Sequence, residues 1–325
     1  MTTYTDIHGT QIEVRSDNPT NPAEGQVWYN TTDLKLRGHT LNPTGAWATG
    51  NNTNTPASAN RGHGTQGTQT AALATGGATN AKIANVEDYN GTSWTEIADL
   101  NVAKSAAVSI GTNAATLVAG GNTGSAVKTN ESWNGTAWTE IADMNATKST
   151  GTGTGSATAG LAVGGTPSPT AANCETWNGT GWTEVNNLNS GRYGLNSAGT
   201  STAGLVFAGS PEPAGVALTE VWNGTNWTEV GDLNVARMQP GGSGSSTAAL
   251  AFGGLNGSSY KNLTEKYNGT SWTEVNNLNT ARFAMGAAGT QASALAYNGS
   301  IPGGDTQATE EWNEPAPVTQ EFDLS

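Results

Sequence analysis

The sequence is poor in charge, in cysteine and in helical pattern. Only 12% of its 325 residues are charged, with 13 Lys and Arg against 26 Asp and Glu, for a net charge of −13. Nucleic-acid binding draws on clustered Lys and Arg that neutralise phosphates, and so thin a set excludes that partner. Cys174 is the only cysteine. Neither an intrachain disulfide nor a cysteine-based zinc site can form, so the fold must rest on packing. The three histidines, His8, His39 and His63, stand in no metal-ligand spacing. Gly-x-Ser-x-Gly, His-Glu-x-x-His and phosphate-loop patterns are missing too. The expectation is a protein without catalytic residues, metal or cofactor. Scattered acids could in principle supply a glycosidase pair, but the acids that stand out recur in every repeat, which suits structure. No stretch approaches the ~20 apolar residues of a membrane span, and the start Met1-Thr-Thr-Tyr-Thr-Asp-Ile-His-Gly lacks the basic and apolar regions of a secretion signal. A soluble protein made in the cytoplasm, without membrane insertion or Sec-type export, is expected. No segment sustains a 3.6-residue apolar period, so almost no helix is expected.

What is abundant is glycine, 44 residues of it, among Thr, Asn, Ser and Ala. That is a composition of short strands and many turns. The segment Tyr89-Asn-Gly-Thr-Ser-Trp94-Thr-Glu-Ile returns four times, ending on Trp138, Trp182, Trp227 and Trp272 as its second aromatic. Those tryptophans are spaced by 44, 44, 45 and 45 residues, the length of a four-stranded propeller blade. Each unit holds a Trp strand, then Leu-Asn-x-Ala-Lys/Arg, a strand of small residues such as Ser105 to Gly111, an apolar strand such as Leu117-Val-Ala-Gly-Gly121, and a strand carrying Glu131-Ser-Trp133. Asn-Gly between the two aromatics predicts a tight type I′ hairpin, with positive φ at both residues. The same Asn-Gly-Thr triplets match the N-glycosylation pattern, but repetition in every unit favours a structural turn.

Double glycine, a Glu followed by an aromatic, a Trp, and a basic residue about ten positions later together resemble the kelch repeat over residues 47 to 313. Gly209-Ser210 and Asn298-Gly299 replace the double glycine in two units. The resemblance implies an all-β, six-bladed kelch-like β-propeller. Trp47 stands one repeat upstream of Trp94, while the last unit ends at Trp312 without a Trp strand of its own. The N-terminal strand near Trp47 is therefore expected to complete the sixth blade and remove the free edges.

Basic residues recur at Arg61, Lys104, Lys148, Arg192, Arg237 and Arg282, and acids at Glu87, Glu131, Glu175, Glu220, Glu265 and Glu310. A residue needed once for binding seldom appears in every repeat, so these are expected to pair within or between blades, and the aromatic pairs to pack between them. Variation carries more functional information. The unlike loops after the glycines should emerge on one face, where recognition sits on a rigid scaffold. Lys82, Tyr260, Lys261 and Asp305 are the candidate contacts there, able to stack on or hydrogen-bond a sugar.

Residues 1 to 46 form a separate reading, a small β module with a hairpin of Gly25 to Asn30 and Leu34 to Arg37 across Thr31-Thr-Asp33. It is too small for a core of its own and must pack on the propeller or a partner, with Trp28 and Tyr29 as docking candidates. The stretch Asn-Pro-Ala-Glu-Gly-Gln-Val-Trp-Tyr-Asn-Thr-Thr-Asp-Leu-Lys-Leu resembles a segment of tail-fibre and other virion structural proteins of bacteriophages, notably those infecting marine bacteria. That resemblance implies a virion component, in the tail or on the capsid, with other virion proteins, further copies of itself or a host-surface glycan as partners. A lectin-like or polysaccharide-degrading propeller is the alternative. Residues 314 to 325 form an acidic, Pro-broken tail, either disordered or docking on another chain through Phe322 and Leu324.

Overall fold

The computed structural model describes residues 12–20, 26–40, 45–57, 64, 67–167, 170–211, 215–314 and 318–322. The chain divides into two compact units, one of residues 46–313 and one of residues 1–45 with 314–325. Arg61, His8, His63 and Leu324 lie outside the described residues.

The larger unit is all-β, of propeller type. It contains six four-stranded antiparallel sheets. The first comprises Gly67–Thr68, Ala71–Thr75, Val86–Tyr89 and Trp94–Glu96, and the next four, spanning 108–141, 152–185, 196–229 and 241–275, repeat its order. The sixth takes Gly286–Gly289, Ser293–Tyr297 and Thr309–Asn313, and its fourth strand is Ala46–Gly50, with Trp47 directly opposite Trp312. Only one 3-10 turn, Thr170–Ala172, interrupts the strands among the described residues.

The repeat produces sheets because its apolar residues face sideways, into the neighbouring sheet. Each of six core clusters draws on two consecutive sheets. Leu117 and Met144 meet Ala162 and Trp182, for example, and Leu250 and Phe252 meet Trp47 and Trp312. One cluster joins the last sheet to the first, through Tyr297 and Leu295 against Tyr89 and Trp94. Fully burying one such aromatic removes ~150–250 Å² from water, and the paired rings lie 4.8 to 5.4 Å apart within the first five sheets.

Small residues line the first strand of each sheet because those strands crowd together. A Cβ added at Gly153 would fall 2.4 Å from Val108 Cγ1, and one at Gly242 2.6 Å from Phe207 Cζ. Hydroxyls cross between them instead, as from Thr152 to Ser197 at 2.8 Å.

The Asn-Gly turn differs from expectation. It does join the third and fourth strands, but only the glycine has positive φ, +91° at Gly91 and +94° at Gly135. Asn90 uses its side chain, Oδ1 accepting from the backbone N–H groups of Thr92 and Ser93. A four-residue loop spans Tyr89 to Trp94, so an Asx turn replaces the two-residue I′ turn. The double glycine is also shifted by one in the fourth sheet. Ala208, at φ +61°, takes the place of Gly164 at +64°, since Gly209 N–H bonds to Arg237 O as Gly165 N–H bonds to Arg192 O.

The smaller unit is a four-stranded sheet in the order Glu13–Arg15, Val27–Asn30, Lys35–Thr40, Val318–Phe322. The expected hairpin is present, with Asn30 opposite Lys35. The tail, expected to be disordered or docked on another chain, instead supplies a strand whose Phe322 pairs with Leu36. Trp28, expected to dock on a partner, is 1% exposed. Its Nε1 donates to Asn18 Oδ1, which also accepts from Asn30 Nδ2 and Arg37 Nη1. Tyr29 is half-buried.

Candidate functional site

The repeated charges are consumed by the fold. Lys104, Arg192, Arg237 and Arg282 each lead into a sheet and pair with its Glu131, Glu220, Glu265 or Glu310 at 2.5 to 2.9 Å, with all eight side chains at most 3% exposed. Lys148 Nζ donates to the carbonyls of Gly164 and Asn173, and burial holds its pKa below the ordinary lysine value. The second carboxylate oxygen reaches back to the preceding connection. Glu265 Oε2 accepts from the N–H and Nδ2 of Asn234, both at 2.7 Å. The cation's own carbonyl, meanwhile, receives the N–H of the preceding sheet's second glycine, as Lys104 O does from Gly77. One residue thus ties two successive sheets by backbone and side chain together. In the connection from Trp47 to the first sheet, Asn54 bonds to Glu87, and Ala57 O takes the carbonyl role toward Gly299. By register Ala57, and not Arg61, corresponds to Lys104.

Two residues beyond each cation the backbone turns left-handed, at Ala106, Thr150, Gly194, Gln239 and Ala284, with φ from +50° to +61°. Four of these are not glycine, a conformation that costs roughly 1–2 kcal/mol per residue. Each N–H from Thr150 onward donates to the carbonyl of its predecessor, Thr150 to Ala106, Gly194 to Thr150, Gln239 to Gly194 and Ala284 to Gln239, at 2.6 to 3.0 Å. These bonds step from sheet to sheet and offset the strain.

Between the cation and this turn lies a position that sequence reasoning missed. It is Ser105 and Ser149 in the second and third sheets, but Tyr193, Met238 and Phe283 in the fourth to sixth. Each pairs through a β-bridge with the loop after the glycines, at Asn122, Thr166, Ser210, Leu255 and Ser300. The signal was a single unlike residue beside a repeated one. It bridges to the unlike loop of each of these five sheets, and is a buried serine in two of them and an aromatic or sulfur-bearing residue in three.

Tyr260, Lys261 and Asp305 fall on two of these loops, and Lys82 lies on the loop after Gly76 and Gly77 of the first sheet, where it bridges to Ala78. Lys82 is exposed, and Tyr260, Lys261 and Asp305 are half-buried. Tyr260 and Lys261 follow one another at the small hairpin of Leu255–Asn256 and Ser259–Tyr260. Tyr260 packs edge-on against Phe283, with centroids 5.2 Å apart, and Lys261 Nζ donates to Ser259 Oγ. Lys82 and Asp305 form no ion pair with one another among the described residues. What these loops offer chemically is an aromatic edge, hydroxyls and a few charges. No group of three or more His, Cys, Asp or Glu side chains that could hold a metal occurs among the described residues.

The sequence matches no protein-family model and no curated protein. The fold does have a solved counterpart. The structure of YjhT, a β-propeller-like protein, superposes with a TM-score of 0.68 over 84% of this chain and 99% of that one, at 10% identity. At that identity the likeness shows the fold alone, and the larger unit is accordingly similar to a β-propeller.

Proposed function

We propose that this chain is a non-enzymatic structural protein of a bacteriophage particle. Its six sheets are read as the blades of one kelch-like ring closed by the strand Ala46–Gly50, and its small β unit as the anchor. The observation that carries the reading is the internal use of the repeated ionic residues, which leaves the unlike loops on one face as the surface that differs between repeats. A rigid ring presenting such a face, joined to a separate small sheet that contains the last described strand of the chain, suits attachment and display better than turnover. The cyclic succession of core clusters supports the closed ring, and the resemblance of residues 20 to 37 to phage tail and virion segments supports the particle. Mass spectrometry of purified particles from the phage that encodes this chain tests it. Stoichiometric recovery is expected, and absence from particles that contain their other structural proteins would overturn it.

A second reading, glycan binding by the loop face, draws on Tyr260 with Phe283 and on Lys261 and Asp305. Binding of purified protein to host-surface polysaccharide that Tyr260→Ala abolishes would favour it. Release of reducing ends would turn the reading toward an enzyme.

A further inference from the structure

The strand Glu13–Arg15 pairs on one side only, in parallel with Val27–Asn30, and no backbone hydrogen bond reaches its other side among the described residues. Register assigns its faces. Glu13 and Arg15 lie opposite Trp28 and Asn30, which are buried, whereas Val14 lies opposite Tyr29, which in turn faces Leu36. Val14 is 66% exposed, Leu34 66% and Ile12 42%, and these are three of only four large exposed hydrophobics among the described residues. The apolar exposure among the described residues is therefore concentrated on this one small sheet, beside a short edge that no described strand covers and that carries Glu13 and Arg15 on either side of Val14.

We infer that this edge is an isologous interface with a second copy of the chain, formed by antiparallel pairing of the two Glu13–Arg15 strands about Val14. The inference rests on reading the small unit as the anchoring module, and names its partner. A two-fold axis through Val14 sets Val14 against Val14 and each Glu13 against Arg15 of the second copy. Opposite charges directly across an antiparallel pair stabilise it, and like charges destabilise it. A parallel in-register pairing would place Glu13 beside Glu13 and Arg15 beside Arg15. A slip by one residue would turn Val14 to the other face. The charges thus select the antiparallel, self-complementary arrangement. Arg15 is 31% exposed and Glu13 47%; within one chain they contact each other at 2.9 Å, Arg15 Nε also donates to Asp17 Oδ1 at 3.2 Å and Gln26 Nε2 to Glu13 Oε2 at 2.8 Å, so pairing with a second copy exchanges these surface contacts for cross-strand ones.

Sedimentation equilibrium of the full chain across the micromolar range tests this. A species of twice the 33.1 kDa chain mass is expected to grow with concentration. Val14→Asp is expected to raise the association midpoint at least tenfold. The decisive arm mixes two variants. Glu13→Arg and Arg15→Glu chains should each be monomeric alone, because every cross-strand pair is then like-charged, and should associate when mixed. A wild-type chain that stays monomeric throughout overturns the inference, as does a dimer indifferent to all three substitutions or a mixture that fails to associate although both variants keep the wild-type far-UV spectrum. Particle mass spectrometry reads the anchoring role separately: a monomeric chain recovered from particles leaves the module in place and removes only the pairing.

Discussion

Neutralising one carboxylate in the line of buried ion pairs isolates the charge that ties one sheet to the next. Glu265→Gln keeps the shape and removes the charge. Glu265 Oε1 lies 2.5 Å from Arg237 Nη1, with both side chains 0% exposed, and Oε2 accepts two bonds from Asn234. A glutamine has one acceptor oxygen and one donor amide. Whichever way it turns, the amide faces either the guanidinium or the Asn234 donors, so one set of donors is orphaned. Breaking a buried pair from one side costs ~3–5 kcal/mol, and at ~1.4 kcal/mol per decade this raises the unfolded fraction about 140- to 4000-fold. Denaturant titration followed by tryptophan fluorescence and far-UV circular dichroism measures it. The control is Asp143→Asn, which breaks the pair with Lys128 at 3.8 Å, where the side chains are 38% and 52% exposed; its cost should not exceed ~1 kcal/mol. If Glu265→Gln costs no more than Asp143→Asn, the buried pairs do not hold the sheets together.

Three further outcomes are expected. A chain of residues 46–313 should melt cooperatively with the β spectrum of the larger unit, whereas one of residues 51–313, lacking the strand paired with Thr309–Asn313, should lose cooperativity; equal melts would remove Ala46–Gly50 from the sixth sheet. The Cys174 thiol is buried, and burial pushes it up from 9.0 to about 11, so a thiol reagent at pH 8 should find no reactive group in the native chain and one after unfolding. Because that folded value is raised, the stability it contributes is complete below pH 9 and is lost as pH rises through about 11. Burial also raises the phenols of Tyr89 and Tyr267, with the Glu311 carboxylate adding to the shift at Tyr89. An ultraviolet titration at pH 11 should leave Tyr89 un-ionised, and Tyr267 should ionise above the ordinary tyrosine value, with their share of stability complete below pH 10 and lost as pH rises further; full ionisation of all seven tyrosines in the native chain at pH 11 would contradict this.

The spacing of the tryptophans was enough to read the number of four-stranded sheets and the place of Trp47, because each unit must present the same aromatic and small residues to the next. The roles of Lys104, Arg192, Arg237 and Arg282 were legible for the same reason, since a contact that serves four of the junctions recurs at the spacing of the repeat. The left-handed turns at Ala106, Thr150, Gln239 and Ala284 were not legible. No glycine marks them, and the bonds that compensate them lie between sheets, more than 40 residues apart in the chain. Ala57 in the place of a cation became visible only through its carbonyl contact with Gly299. The small unit shows the limit most plainly. Its hairpin follows from local sequence, but Trp28 is buried, with its Nε1 bonded to Asn18, and the strand Val318–Phe322 belongs beside Lys35–Thr40. Backbone hydrogen bonding between segments that distant depends on where the intervening 268-residue unit, Ala46–Asn313, returns the chain, and main-chain donors and acceptors are the same in every sequence.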